Sequence, residues 1–388
     1  MKRVYDTAII GGGAVGTASA YFLSKNGQDV LLMEKGSLAD GSSSKCDGNV
    51  HVGDSKPGID TDIIVKSQQL FRTVTKDLDM DVQWEESDSM YVFESEAELE
   101  AGAELVRQKK NAGIPIRLLD KKEVHFEEPN LAPDIAGGIL IGDEGEINPM
   151  LLCIGLVRRA AQYGATIATH TEVRGIRREN GLFLLSTVGQ EYYAKNVLVA
   201  GGVWTPEIGK MVGLEIPIIP RQGQLLVTDV ATGFVKRTIT EFGYIMTRQE
   251  SNDFVRNVPK EVEEYGIAAL IEPTPGGTML IGSSRRFCGF DWNNDDRVIR
   301  AMAQRAIRFW PGLKNMNMIR CYAGLRPYTH DHMPIISDTP VEGFYIASGH
   351  EGSGIALSMV TGLLIDEIIN HRPTSLDISE FRYSRFLK

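Results

Sequence analysis

Gly11, Gly13 and Gly16 stand at Gly-x-Gly-x-x-Gly spacing, directly after the apolar run Ala8-Ile9-Ile10 and at the start of a helical pattern. Gly11 permits a tight turn, Gly13 lets the backbone approach a pyrophosphate, and Gly16 lets a helix pack on a strand. A helix beginning at Ala14 supplies unpaired N–H groups and the positive end of its dipole to the phosphates. Glu34, followed by Lys35, lies roughly twenty residues on, where an acid holds a ribose 2′-hydroxyl. Glu34 in place of arginine disfavours a 2′-phosphate. Two later stretches share the small-residue character: Ala200-Gly201-Gly202-Val203-Trp204 after a buried-strand pattern, and Gly349-His350-Glu351-Gly352-Ser353-Gly354 before Ile355. Either could be a plain turn, or a place where backbone touches a ligand. Arg326, in Gly-Leu-Arg-Pro, offers the planar fork that fits a carboxylate, and Pro327 stiffens the backbone behind it. The alternative for Arg326 is a structural ion pair.

The elements that must position these residues follow from periodicity. Strands are expected at 4–10 and 29–33 around a helix from Ala14 to about Lys25 that Gly27 stops, which makes a βαβ unit. The loop 36–53 is dense in Gly and Ser. It reads either as a flexible surface loop or, in the preferred reading, as a ligand loop in which Ser42, Ser43 and Ser44 bond phosphate oxygens and Gly48 and Asn49 allow close approach. Helices are expected at 60–78, at 96–112 with Ser95 as N-cap and Glu98 three residues on, at 121–128 and at 149–163. Strands are expected at 166–168, 171–176, 182–187 and 193–199. A helix running through 355–369 is expected to begin at about Ser353. The block 216–320 reads as short strands, with Arg221, Gln222 and Tyr244 as substrate-side groups or surface residues.

The 388 residues carry a formal net charge of −10, which argues against nucleic acid as a partner, because no broad surface would release counterions from phosphates. No apolar run approaches the ~20 residues of a membrane helix, and Met1–Ile10 leaves no room for a signal peptide. Cys46, Cys153, Cys288 and Cys321 are widely spaced without a C-x-x-C pair, so no metal site is expected and free thiols in a reducing cytoplasm are the preferred reading.

The glycine fingerprint, EGEINP at 144–149, TEVRGI at 171–176, NVLVAGGVW at 196–204, GTMLIGSSRRFCGFD at 277–291, AGLRPYTHDHMPII at 323–336 and FYIASGHEGSGIALS at 344–358 together resemble the D-amino-acid oxidase-like family of FAD-dependent amine oxidoreductases. The resemblance covers nearly the whole chain. It implies an α/β fold with an α+β second domain: a doubly wound, Rossmann-like FAD-binding domain built from 1–80, 145–215 and 320–388, and an inserted mixed-sheet substrate domain from 81–144 and 216–319. It implies non-covalent FAD contacted by Val173 and by the backbone at Ala200, Gly201 and Gly349–Ile355, with Ser353 opening a helix whose dipole stabilises the reduced flavin's charge. His51 then lies near the flavin ring or caps a turn, and Glu351 contacts a substrate amine or caps the helix. The implied reaction is hydride transfer from an amino acid or a secondary or cyclic amino acid to flavin N5, with Arg326 on the carboxylate. Sarcosine-oxidase-like members carry a lysine near the strand TMLIGSS that assists reaction with oxygen, and none stands there in this chain. The segments GSSRRFCGFD, GLRPYTHDHMP and GHEGSGIA look most like FAD-bearing subunits of heteromeric proline, hydroxyproline and opine dehydrogenases and of hydrogen cyanide synthase. That likeness implies an electron-accepting partner subunit bearing FMN or an iron–sulfur centre. A stand-alone glycine, sarcosine or D-amino-acid oxidase, a nicotinamide dehydrogenase and a non-catalytic FAD subunit are the alternatives.

Overall fold

The computed structural model describes residues 3–248 and 256–387. Two mixed sheets organise the chain. In the first, the strands run in the order Ile335–Asp338, Phe344–Ser348, Glu191–Val199, Val4–Ile10, Val30–Met33 and Thr166–Ala168, with the hairpin Gly175–Glu179 and Leu182–Ser186 attached to Glu191–Val199. Val4–Ile10 lies parallel to Glu191–Val199 and to Val30–Met33, in registers that place Ile10 opposite both Val199 and Met33. Phe344–Ser348 is parallel to Glu191–Val199 as well. The consequence is geometric. Four parallel neighbours end on one edge of the sheet, so the turns that follow them, at Gly11, Glu34, Ala200 and Gly349, emerge side by side, where open α/β sheets hold ligands.

The helix Ala14–Lys25 matches its expected bounds, and all but its second and last residues are buried. It is apolar or small nearly all round because it lies under the sheet and against the helices Pro149–Gln162 and Ser358–Ile369. The crossing with the latter is close: a Cβ on Gly362 would lie 2.7 Å from the carbonyl carbon of Ala18. Ser95 caps Glu96–Asn111 by accepting the N–H of Glu98, as the capping pattern anticipates.

The second sheet has nine strands, in the order Met318–Tyr328, Ile219–Thr228, Met279–Gly282, Leu270–Pro273, Thr238–Glu241, Glu85–Phe93, Gly137–Glu146 and Asn49–Val50, with Ile116–Leu119 on Gly137–Glu146. Its far face packs on the helix Asp296–Phe309 through Val298, Met302, Phe309 and Trp310. Asn49–Val50 and all but the first two residues of Met318–Tyr328 stand in segments that the sequence reading gives to the cofactor domain, yet both strands pair in this sheet. Arg326 therefore rides on the substrate-side sheet, opposite Arg221 in the register.

Three local expectations need correction. Residues 171–174 are irregular and the strand is Gly175–Glu179. Thr171 and His170 give their N–H groups to the carbonyls of Glu34 and Gly36, which bends the chain around the end of Val30–Met33. The last long helix starts at Ser358, not Ser353. Residues 350–357 form successive turns, with Ser353 N–H on His350 O and Leu357 N–H on Ser353 O, after positive φ at Gly349 and Glu351. The helix Asp296–Phe309, capped by Asp295, lies in a block read as short strands. Its signal was present as apolar residues at 298, 301, 302, 306 and 309 behind an Asp cap.

Candidate active site

A cavity of about 670 Å³ lies between the ligand edge of the first sheet and the near face of the second. Gly11, Gly13 and Ala14 line it, and Gly11 and Gly16 are required by space. Gly11 has φ of +120°, and a Cβ there would sit 2.3 Å from Ala200 O; a Cβ on Gly16 would sit 1.9 Å from Gly11 O. Gly16 thus closes the helix onto the turn and does not itself line the cavity. Gly13 is the N-cap of Ala14–Lys25 and provides no side-chain cap. Ser43 Oγ accepts the N–H of Ala14 at 3.1 Å, and the Ser42 hydroxyl donates to Leu325 O, fastening this loop to the strand that carries Arg326.

Glu34 braces the turn. Its two carboxylate oxygens accept the N–H groups of Gly12 at 2.7 Å and Gly36 at 2.8 Å. A carboxylate has about four lone-pair sites, so a ribose hydroxyl can still be accepted. Lys35 Nζ lies 3.3 Å from the centre of the Trp204 ring, and burial pushes its pKa down. Trp204 in turn stacks on Trp292. Val173, Ala200, Gly201, Asn49, Gly352, Ser353, Gly354 and Ile355 all line the same cavity.

Of the remaining expected cofactor residues, Ser44, Gly48 and Gly349 do not line it. The Ser44 hydroxyl turns back to Gly41 O. Gly48 gives its N–H to the buried Glu272 carboxylate. Gly349 has φ of +80° and packs against Thr329, which sets the turn. His350 lines the cavity, yet its Nε2 is bonded to Thr361 Oγ1 at 2.9 Å. Burial lowers its pKa to about 4 and keeps it neutral.

Arg326 points along the cavity wall. Its Nη1 donates to Ser284 O at 2.9 Å, the guanidinium lies over Gly223, where a Cβ would stand 2.2 Å from Nη1, and its stem passes Gly352. Tyr244 and His51 also line the cavity, and Tyr244 Oη and His51 Nε2 are buried without a hydrogen-bond partner. Burial lowers His51 to about 4, so it is a neutral imidazole. Glu351 lines the cavity as well, and of its two expected roles the helix cap is the one overturned. Its carboxylate pairs with Arg221 and approaches His332 Nδ1 at 3.4 Å. It does not cap the helix, which begins seven residues later. Gln222 is likewise structural, giving Nε2 to Asp291 O and Asn293 O.

Arg285 and Asp47 are among the charged cavity residues that the sequence reading did not assign to the site. Arg285 and Arg286 adjoin in the segment GSSRRFCGFD, but only Arg285 lines the cavity, lying 4.3 Å over the Tyr244 ring. Arg286 turns the other way to Asp295 at 2.8 Å. Asp47 also lines the cavity; a single acid in a Gly/Ser loop gave no signal.

The loop 50–55, which presents His51, is held by two buried ionisable side chains. Glu144 accepts the N–H groups of Val52 at 2.7 Å and Gly53 at 3.1 Å, while Lys109 Nζ donates to Val52 O at 2.9 Å and to Ser55 O and Oγ, both at 2.6 Å. Burial raises Glu144 to about 8 and lowers Lys109 to about 8. Lys109→Met keeps the stem and strands these acceptors, so it is expected to cost about 3 kcal/mol of stability, measured by urea unfolding of the two proteins. A loss below about 0.5 kcal/mol would show that water replaces the ammonium.

Among the described residues no helix is long and apolar enough to cross a membrane. The chain is 26% identical to a glycine oxidase of Geobacillus kaustophilus, over 100% of this chain and 98% of that protein. It is 25% identical to hydrogen cyanide synthase subunit HcnC of Pseudomonas protegens, over 100% and 97%. The crystal structure of the Geobacillus kaustophilus glycine oxidase superposes with a TM-score of 0.88 over all of both chains, at 26% identity. An L-proline dehydrogenase structure from P. horikoshii shares the fold, with a TM-score of 0.87 at 21% identity over 100% and 98% of the two chains. A turn that Gly11 and Gly16 keep open, a helix N-terminus beside it whose N-cap residue supplies no side-chain cap, and an acid at the end of the adjoining strand fit the cofactor of the family whose model matches residues 6–368, and the chain belongs to that family, the FAD-dependent oxidoreductases.

Proposed function

We propose that this enzyme oxidises the C–N bond of an amino acid or secondary amino acid whose carboxylate is held by Arg326. The observation that carries the reading is the Arg326 guanidinium on the cavity wall, its plane fixed by Ser284 O and its approach kept open by Gly223. FAD, when bound, supplies the two-electron acceptor. Gly11, Gly13 and Ala14 are the residues to hold its pyrophosphate, Glu34 its ribose, and Val173, Gly201 and the turn 352–355 the remainder. The chain's own part is then to bind and orient. Arg326 fixes the carboxylate and with it the substrate's α-carbon, and the sheet face with Leu225, Ala268 and Leu270 keeps that region apolar.

For the electron acceptor we favour a partner subunit, as in the heteromeric relatives, because Ser283, Ser284 and Arg285 follow the strand Met279–Gly282 where a lysine would assist oxygen. The full-length likeness to a glycine oxidase supports a second reading, in which the chain works alone and reduces oxygen to peroxide. One experiment addresses both. The FAD-loaded chain is mixed anaerobically with amino acids, N-methyl amino acids, cyclic imino acids and opines. Bleaching of the visible flavin band by at least one of them is expected, and its absence across the panel would overturn amine oxidation. Re-oxidation by an artificial acceptor much faster than by air is expected for the partner-dependent form; rapid peroxide formation would favour the oxidase.

A further inference from the structure

We infer that Trp292 clasps the cofactor: by stacking on Trp204 it closes the ribose end of the cavity and slows the release of FAD. The inference needs only that FAD occupies this cavity, whatever amine is oxidised. Trp204 stands where three cofactor-side turns meet. It lies three residues past Gly201, Lys35 Nζ lies 3.3 Å from its ring centre, and a Cβ on Gly41 would lie 3.6 Å from its ring. Lys35 directly follows Glu34, the acid placed to take the ribose. Trp292 comes from the other half of the molecule, on the loop between the strand Met279–Gly282 and the helix Asp296–Phe309. The two indoles stack with ring centres 5.9 Å apart and planes 14° from parallel. Phe290 packs on both, at 6.2 Å from Trp204 and 5.8 Å from Trp292. Trp204 and Trp292 line the cavity, yet Trp292 is 41% exposed. A side chain that faces both cavity and solvent stands at the rim.

The loop that carries Trp292 is aimed by a buried glutamine. Gln222 Nε2 donates to Asp291 O at 2.8 Å and to Asn293 O at 3.2 Å, the carbonyls on either side of Trp292. Gln224 Oε1 accepts the N–H of Asp295 at 3.1 Å, and Asn294 Nδ2 donates to Cys321 O at 3.3 Å, so the same loop is also tied to the edge strand Met318–Tyr328. Gln222 and Gln224 point to one face of their strand, and Gly223, which lies against the Arg326 guanidinium, points to the other. Cofactor retention and carboxylate binding are thus built on opposite faces of one strand. A stacked pair of large aromatic rings contributes both buried apolar area and ring attraction. Both are lost whenever the loop lifts, and the cost of lifting it is read in the rate at which the ligand leaves.

The test measures cofactor release and uses no substrate. FAD-loaded parent and variant proteins are diluted into buffer, and release is followed as the rise of free-flavin fluorescence. Trp292→Ala is expected to release FAD about tenfold faster than the parent. Trp292→Phe keeps a stacked ring and is expected to recover most of that difference, a rescue that general loosening of the fold would not show. Should Trp292→Ala not fold, Gln222→Met takes its place: it keeps both indoles, removes the two bonds that aim Trp292, and is expected to speed release in the same direction. Release within about twofold of the parent in the variant so chosen overturns the inference. Release from Trp292→Phe as fast as from Trp292→Ala overturns it as well. Because no amine enters the measurement, failure of the substrate reading would leave this result standing.

Discussion

Arg326→Ala is expected to lower kcat/KM for the best amino-acid substrate by about 30- to 3000-fold, the range that corresponds to truncating one side of a desolvated, hydrogen-bonded charge pair. The guanidinium stands half-buried between Gly223 and Gly352, tied to Ser284 O. A substrate carboxylate placed against it exchanges water for charge-assisted bonds in a poorly hydrated site. Most of the loss should fall on KM if the clamp holds substrate and transition state equally, and on kcat if it also fixes the angle of the α-carbon. Arg326→Lys separates charge from geometry. It keeps the positive charge and loses the fork, so an intermediate loss is expected. The neighbouring glycine provides an independent probe. A methyl at 223 would lie 2.2 Å from Nη1, so Gly223→Ala should displace the guanidinium and raise KM without removing any charge. The visible flavin spectrum of each variant checks that FAD remains bound. Unchanged kcat/KM in Arg326→Ala with the cofactor in place would return this residue to the structural ion-pair reading.

The parts of this site that could be read from sequence are those fixed by local chemistry. The unit Val4–Ile10, Ala14–Lys25 and Val30–Met33 was legible because a buried strand, a glycine turn and a helix each leave a short-range mark. That the turns at 11, 200 and 349 meet was legible only through the family pattern, and its physical cause is parallel pairing, which places like ends on one edge. What failed to show required knowing neighbours. Met318–Tyr328 looks the same in sequence whichever sheet it joins, so Arg326 was assigned to the cofactor side. The pairing of Glu351 with Arg221, 130 positions earlier in the chain, leaves no local mark. The helix dipole anticipated at Ser353 is displaced to Ser358 because two positive-φ residues, Gly349 and Glu351, turn the chain before it can coil.

Gly11→Ala is expected to give a colourless protein with a markedly lower melting temperature. The position is constrained from two directions. Its φ of +120° is a conformation in which a side chain strains the backbone by about 1–3 kcal/mol. The added methyl would also meet Ala200 O at 2.3 Å and Ala200 C at 2.7 Å. Neither neighbour can give way cheaply, since Gly11 N–H is bonded to Met33 O and Ala200 N–H to Ile10 O, at 2.8 and 2.9 Å. Relief therefore means prying apart the ends of three parallel strands, at the place where the cofactor cradle is made. Gly13→Ala is the informative contrast. Gly13 has φ of −81°, and its methyl would meet only Ser43 Oγ, at 3.2 Å. Stability should change by less than about 1 kcal/mol, while FAD affinity falls because the methyl stands where the pyrophosphate must approach the helix N-terminus. Thermal unfolding of the apo-proteins, followed by titration with FAD, distinguishes the two. If Gly13→Ala binds FAD as tightly as the parent chain, the glycine turn supports the fold without cradling the phosphates, and the cofactor's position in the cavity must be assigned afresh.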